Sequence, residues 1–183
     1  MAPSEQMTEP SVQELLKDAR LAGEWVLDSS RSTVSLTNKS IGGLVPVKGV
    51  FRQVTGTGTV SPSGEVSGAI EVTAASIDTK NAKRDTHLRS ADFFDVDNHP
   101  HITFTVAGIQ PSGRHITVTG MLTVRDQARP LSFDAAATVR GDGALWLDAA
   151  VHINQTDFGL TWNFMGMVSK DNAIAIHAVF AKR

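Results

Sequence analysis

From Trp25 onward apolar and polar residues alternate one by one, and this period of two constrains the fold more than any other feature. Residues 65–75 place Val66, Ile70, Val72 and Ala74 on one face, with Ser67, Glu71 and Thr73 opposite. Ile116, Val118, Leu122 and Val124 alternate with Thr117, Thr119 and Thr123. Leu131, Phe133, Ala135, Ala137 and Val139 alternate with Ser132, Asp134 and Thr138. Leu145, Leu147, Ala149, Val151 and Ile153 do so with Trp146, Asp148, His152 and Asn154, and Ile174, Ile176, Ala178 and Phe180 close the chain. Successive side chains of a strand point to opposite faces, so each run predicts a strand buried on one face.

The segments between the runs decide how the strands connect. Pro62-Ser63-Gly64, Pro111-Ser112-Gly113, Asp126-Gln127-Ala128 and Gly141-Asp142-Gly143 carry the residues that tight turns need. Short turns make sequential strands antiparallel neighbours. A meander of roughly eight or nine strands removes its exposed edges by closing into an up-and-down antiparallel barrel. The main interruption is residues 76–98, where residues 81–89 read as a short crossover helix.

The start of the chain has a different period. Residues 1–10 are a polar tail. Ser11 and Glu14 form a capping box, and Val12, Leu15, Leu16, Ala19 and Ala22 recur at helical spacing up to Gly23. The expected organisation is therefore a tail (1–10), a helix packing on the barrel (11–23) and an all-β barrel domain (24–183).

Composition excludes several function classes. A formal charge of −2 gives no electrostatic case for nucleic acid or an anionic membrane surface. Cysteine is absent, which removes disulfides, thiolate metal sites and a cysteine nucleophile. No stretch approaches the apolar length of a membrane-spanning helix, and no secretory signal pattern is seen, so a cytoplasmic location is the expectation.

The inward faces of the later strands carry no charged side chain, where acid–base catalysis would want a tuned titratable group. They also carry small residues, namely Gly68, Ala74, Gly120, Ala135, Ala137, Ala149 and Ala178. A barrel of this size is either filled by side chains or holds one small ligand, and small inward residues favour a cavity. Within residues 157–169, Phe158, Leu160, Trp162, Phe164, Met165 and Met167 form an apolar inter-strand segment that either plugs the mouth or touches a ligand. The expected ligand contacts are these six residues together with Val118, Leu122, Phe133, Ala135 and Ala137, and with Leu147, Ala149, Val151, Ile176 and Ala178. No catalytic residue, metal ligand or cofactor is expected beyond a bound lipid.

Several short motifs also follow one another in a fixed order along the chain. They begin with Trp25-Val26-Leu27-Asp28 and Arg31-Ser32, then Val47-Lys48-Gly49-Val50-Phe51. The most specific run is Ser76-Ile77-Asp78-Thr79, Arg84-Asp85-Thr86-His87-Leu88-Arg89-Ser90 and Asp92-Phe93-Phe94-Asp95, followed by Pro100 and Thr103-Phe104. Gly120-Met121-Leu122-Thr123-Val124 and Asp157-Phe158-Gly159 complete it. In this order the motifs resemble the YceI-like family of lipocalin-like, isoprenoid-binding proteins, and the resemblance implies an eight-stranded lipocalin-like barrel that binds a long polyisoprenoid, isoprenoid quinone or related amphiphilic lipid. Arg31 stands where the family commonly has histidine, a second histidine near Ser40 is absent, and Gln155 replaces a frequent arginine. These departures lie near loop ends, where a ligand head would sit.

Several polar and aromatic positions admit two roles. His99 and His101 flank Pro100 as an H-x-H pair, either a metal site or an exposed strand start. Asp78, Arg84, Asp85, Arg89 and Asp92 either anchor the crossover to the rim or form a polar ring around a head group. The binding reading competes with a filled barrel acting as an interaction module through its first helix, and with a lipid-modifying enzyme using Asp157 or His87. Trp146, outward on its strand, is a weak pointer to a homodimer.

Overall fold

The computed structural model describes residues 10–17, 19–40, 44–161 and 169–183. The alternating runs form strands β1 (Gly23–Leu27), β2 (Thr33–Ser40), β3 (Val45–Phe51), β4 (Val54–Val60), β5 (Val66–Thr73) and β6 (Ile77–Asp78). They continue as β7 (His101–Ser112), β8 (His115–Val124), β9 (Gln127–Val139), β10 (Leu145–Asn154) and β11 (Asp171–Lys182). Every pairing is antiparallel. The order β1-β4-β5-β7-β8-β9-β10-β11 closes where β1 pairs β11, which makes an eight-stranded barrel with no free edge in that ring.

β2 and β3 extend β1 and β4 rather than adding new staves. β1 pairs β4 (Val26 opposite Thr57) and β2 pairs β3 (Val34 opposite Phe51), so residues 23–60 form one long bent hairpin. The bend at residues 28–32 is built by Asp28. Its carboxylate accepts from Ser30 N and from Arg31 Nε, while Ser32 Oγ donates to the Asp28 carbonyl. Opposite, Arg52 N donates to Ser76 O, and Gln53 N to Ser76 Oγ. A short polar side chain that bonds its own backbone competes with the ladder, and here it bends the stave.

α1 (Val12–Lys17) covers one end of the barrel. Ser11 N donates to Glu14 Oε2 at 2.8 Å, and Glu14 N returns a bond to Ser11 Oγ at 3.3 Å. Val12, Leu15, Leu16 and Leu21 are buried, with α1 resting on β7 and β9. The helical run expected to reach Ala22 stops early. Ala19 is in a left-handed conformation, and Gly23 is the first residue of β1 rather than a helix stop.

α2 (Ala82–Arg89) lies at the opposite end. Asn81 caps it by accepting from Arg84 N at 3.0 Å. Buried Asp85 accepts from both Thr79 N (3.0 Å) and Thr79 Oγ1 (2.6 Å), and Arg89 donates to the carbonyls of Ala75 and Ile77. The following loop crosses to β8, where Arg125 Nη1 meets Phe93 O. The turn expected at Asp126-Gln127-Ala128 is shifted: Arg125 and Asp126 make it, with Arg125 at positive φ, and Gln127 already pairs with Val124.

Candidate ligand cavity

The inward faces enclose a cavity of about 650 Å³. Its wall is aliphatic and aromatic for most of its depth, because inward positions repeat every second residue on every stave. Of the expected ligand contacts, Val118 and Leu122 of β8, Phe133 and Ala135 of β9, and Leu147, Ala149 and Val151 of β10 line it, with Ile176 and Ala178 of β11. Phe158 and Leu160, which follow β10, turn inward over the rim and are buried. Trp162, Phe164, Met165 and Met167 lie outside the described residues.

Three small residues expected to open the cavity do not line it. Ala137 is buried on the same face of β9 but is not part of the wall, and Ala74 is buried in the turn after β5. Gly120 is small for a different reason: the Phe104 ring of β7 lies over it, and a Cβ there would come within 2.5 Å of Phe104 Cζ. Phe104 itself lines the cavity and packs on Phe133, ring centroids 5.4 Å apart.

The wall also contains residues missing from the expected set. Val34 and Leu36 of β2, Phe51 of β3, and Ile70 and Val72 of β5 belong to it, as do Ile102 and Val106 of β7. The same alternation that marked the later strands was available for these. At the α1 end, Trp25, Val60 and Phe180 form the floor.

Polar residues gather at the α2 end. Asn38, Ser40, Gln155 and Asn172 line the mouth on one side, with Asn38 Nδ2 donating to Asn172 Oδ1 (2.8 Å) and Asn172 Nδ2 donating to Gln155 Oε1 (3.2 Å). Thr79, Asn81, Lys83, Arg84 and His87 line it on the other. The mixed-charge stretch around α2 serves mainly to anchor the crossover: Asp85, Arg84 and Arg89 all bond backbone or Thr79. Asp78 pairs with Arg52 (2.9 Å) and Lys80 (3.2 Å), and the Lys80 N–H together with these cations holds its carboxyl well below the usual range.

Other candidate groups separate in space. His99 sits by Asp95 and Asp126, whereas His101 faces Glu71 Oε1 at 3.1 Å, and no metal-ligating cluster occurs among the described residues. Asp157 is exposed on the 3-10 turn Gln155–Phe158 and does not line the cavity. Trp146 is not an open surface: the Arg140 guanidinium lies 3.5 Å from its ring centroid, and its Nε1 is buried.

Comparison with known proteins agrees with this geometry. The family model for the YceI-like domain matches residues 25–180. The chain is 34% identical over 96 residues to Protein YceI of Shigella flexneri, which covers 51% of this chain and 50% of that protein. It thus spans about half the length of the curated relatives it first matches. Among solved structures it superposes on Burkholderia cenocepacia BcnA with a TM-score of 0.76 at 23% identity, covering 84% of this chain and 98% of that one. A polyisoprenoid binding domain from Saccharophagus degradans gives a TM-score of 0.71 at 13% identity, covering 87% and 98% respectively. At these identities the likeness of the two structures is one of fold.

Proposed function

The chain belongs to the YceI-like domain family, and on that premise we propose that it binds a long apolar isoprenoid-type chain inside its barrel and carries or sequesters it without chemical change. The observation that carries this reading is the cavity of about 650 Å³, walled mostly by aliphatic and aromatic side chains, with its charged side chains confined to the α2 end. That volume falls in the range typical of small-molecule sites. The polyisoprenoid binding domain of Saccharophagus degradans shares the fold and supports the same ligand class.

The energetics suit a ligand held by its tail. Each buried CH₂ contributes about 0.8 kcal/mol, so a five-carbon isoprene unit contributes roughly 3–4 kcal/mol. Association costs about 4–15 kcal/mol, which a few units offset without a buried ion pair. The carboxylates nearest the mouth argue for binding rather than turnover, since Asp85 and Asp78 are engaged with Thr79 and with Arg52 and Lys80.

Native mass spectrometry of the purified chain, followed by organic extraction and lipid identification, tests the proposal. A stoichiometric long-chain adduct released by solvent is the expected result. A bare mass that stays bare after incubation with polyprenyl lipids or quinones would overturn it.

A further inference from the structure

The cavity's mouth is electrically one-sided. Two cationic side chains of α2, Lys83 and Arg84, line it, and no aspartate or glutamate lines the cavity anywhere among the described residues. No described carboxylate lies within ion-pair distance of either cation, although Arg31, Arg52 and Lys80 elsewhere all have such partners. The only carboxylate of α2, Asp85, is buried and directed at Thr79.

Arg84 is also held in place. Its Nε donates to Thr79 Oγ1 at 2.7 Å and its Nη2 to Thr79 O at 2.9 Å. Thr79 is fixed in turn by Asp85, so the guanidinium is positioned by neighbours that leave it without a directly paired acid. Asn81, capping the positive end of α2, lines the same mouth. Opposite, among the described residues, the polar lining is the neutral Asn38, Ser40, Gln155 and Asn172.

An apolar tail in the barrel would bring its head to this rim. A preplaced guanidinium and an ammonium beside a low-dielectric cavity favour an anion there, through charge-assisted hydrogen bonds that a neutral head forms less strongly. We infer that the α2 rim is an anionic head-group subsite, so that the ligand is a single-chain amphiphile ending in a carboxylate or a phosphate. This rests on the carrier reading and narrows it, setting neutral quinones and alcohols aside.

The test compares three probes with one shared tail: geranylgeraniol, geranylgeranoic acid and geranylgeranyl monophosphate. Affinities for the full chain are measured by titration calorimetry. One charge-assisted hydrogen bond gained predicts about tenfold tighter binding of the acid or the phosphate than of the alcohol. That ratio should shrink as salt rises and collapse in Lys83→Glu, because both act on the head alone. The tighter of the two anions identifies the head chemistry. Since each variant is read as a ratio of probes, a partial loss of folded protein does not imitate the result. Equal affinity for all three, unchanged in Lys83→Glu, would overturn the subsite and leave the carrier reading standing. Failure of every probe to bind would remove both.

Discussion

The indole Nε1 of Trp25 donates to the carbonyl of Leu21 at 2.8 Å, tying the floor of the cavity to the segment that follows α1. Trp25 is therefore both a wall residue and the link that seats the end cap. Trp25→Leu deletes the donor and leaves space beneath the ligand. Unfolding in urea should show a loss of about 2–4 kcal/mol, from the cavity and the unmatched carbonyl. In a homologous series of polyprenyl chains, the variant should prefer a longer member than the wild type does. An unchanged preference in a folded variant would show that Trp25 does not limit tail length.

Ala149 and Ala137 share an inward phase but differ in what they face. Ala149 lines the cavity and Ala137 does not, although Ala137 is buried. Ala149→Trp should place its indole in empty space, abolishing lipid uptake with little loss of stability. Ala137→Trp meets packed neighbours instead, and overpacking of this kind costs about 1–3 kcal/mol or more. Adduct mass and urea midpoint, measured on both variants, separate the two effects. A folded Ala149→Trp protein that still takes up lipid would count against an axial site.

Period-two alternation made the barrel legible because it reports which face of a strand is buried. It does not report whether an inward residue meets empty space or packed neighbours, which is why Ala137 and Ala149 looked equivalent. It also fails where side chains rebuild the backbone. The Asp28 turn splits one stave into β1 and β2, and Ala19 at positive φ ends the opening helical run early. The rim was the least legible part. In α2 only Ala82 and Leu88 are apolar, so no periodic stripe marks the face that carries Lys83 and Arg84 into the wall. Gly120 looked like cavity space until the ring of Phe104 was found over it.

The crowding at Gly120 has a measurable consequence. A Cβ there meets the Thr105 carbonyl oxygen as well as the Phe104 ring, and the carbonyl belongs to a paired strand that cannot step aside. Gly120→Ala should cost about 1–3 kcal/mol. Adding Phe104→Leu relieves only the ring contact, so the double variant should not regain wild-type stability in urea. Full recovery would mean that the ring alone sets the size limit.

Asp85 tests how the crossover is anchored. Asp85→Ala leaves the buried Thr79 N–H and hydroxyl without their acceptor, a loss of about 2–4 kcal/mol by denaturant unfolding. Asp85→Asn keeps one acceptor oxygen and should fall between the wild type and Asp85→Ala. If both substitutions are neutral, α2 is held by Arg89 and its apolar contacts instead.

The bend between β1 and β2 should be one acid-sensitive point of the fold, as the Asp78 ion pairs on β6 should be another. Hydrogen bonds from Ser30 and Arg31 lower the Asp28 carboxyl to about 2, and Asp142, lowered by the Ala144 N–H and by Arg31, shares the same guanidinium at 3.0 Å. A carboxyl whose folded pKa lies below its unfolded value of about 4 stabilises the fold fully above that value. The contribution disappears as pH falls through the folded value. The gap in Tm between wild type and Asp28→Asn should therefore be constant near neutrality, begin to close below about pH 4 and vanish near pH 2. Because both partners are solvent-accessible, the gap itself should be small and should narrow further in salt. Thermal melts across that range, at low and high ionic strength, check both trends. A gap that persists unchanged at pH 2 would mean that Asp28 acts through turn geometry rather than through its charge.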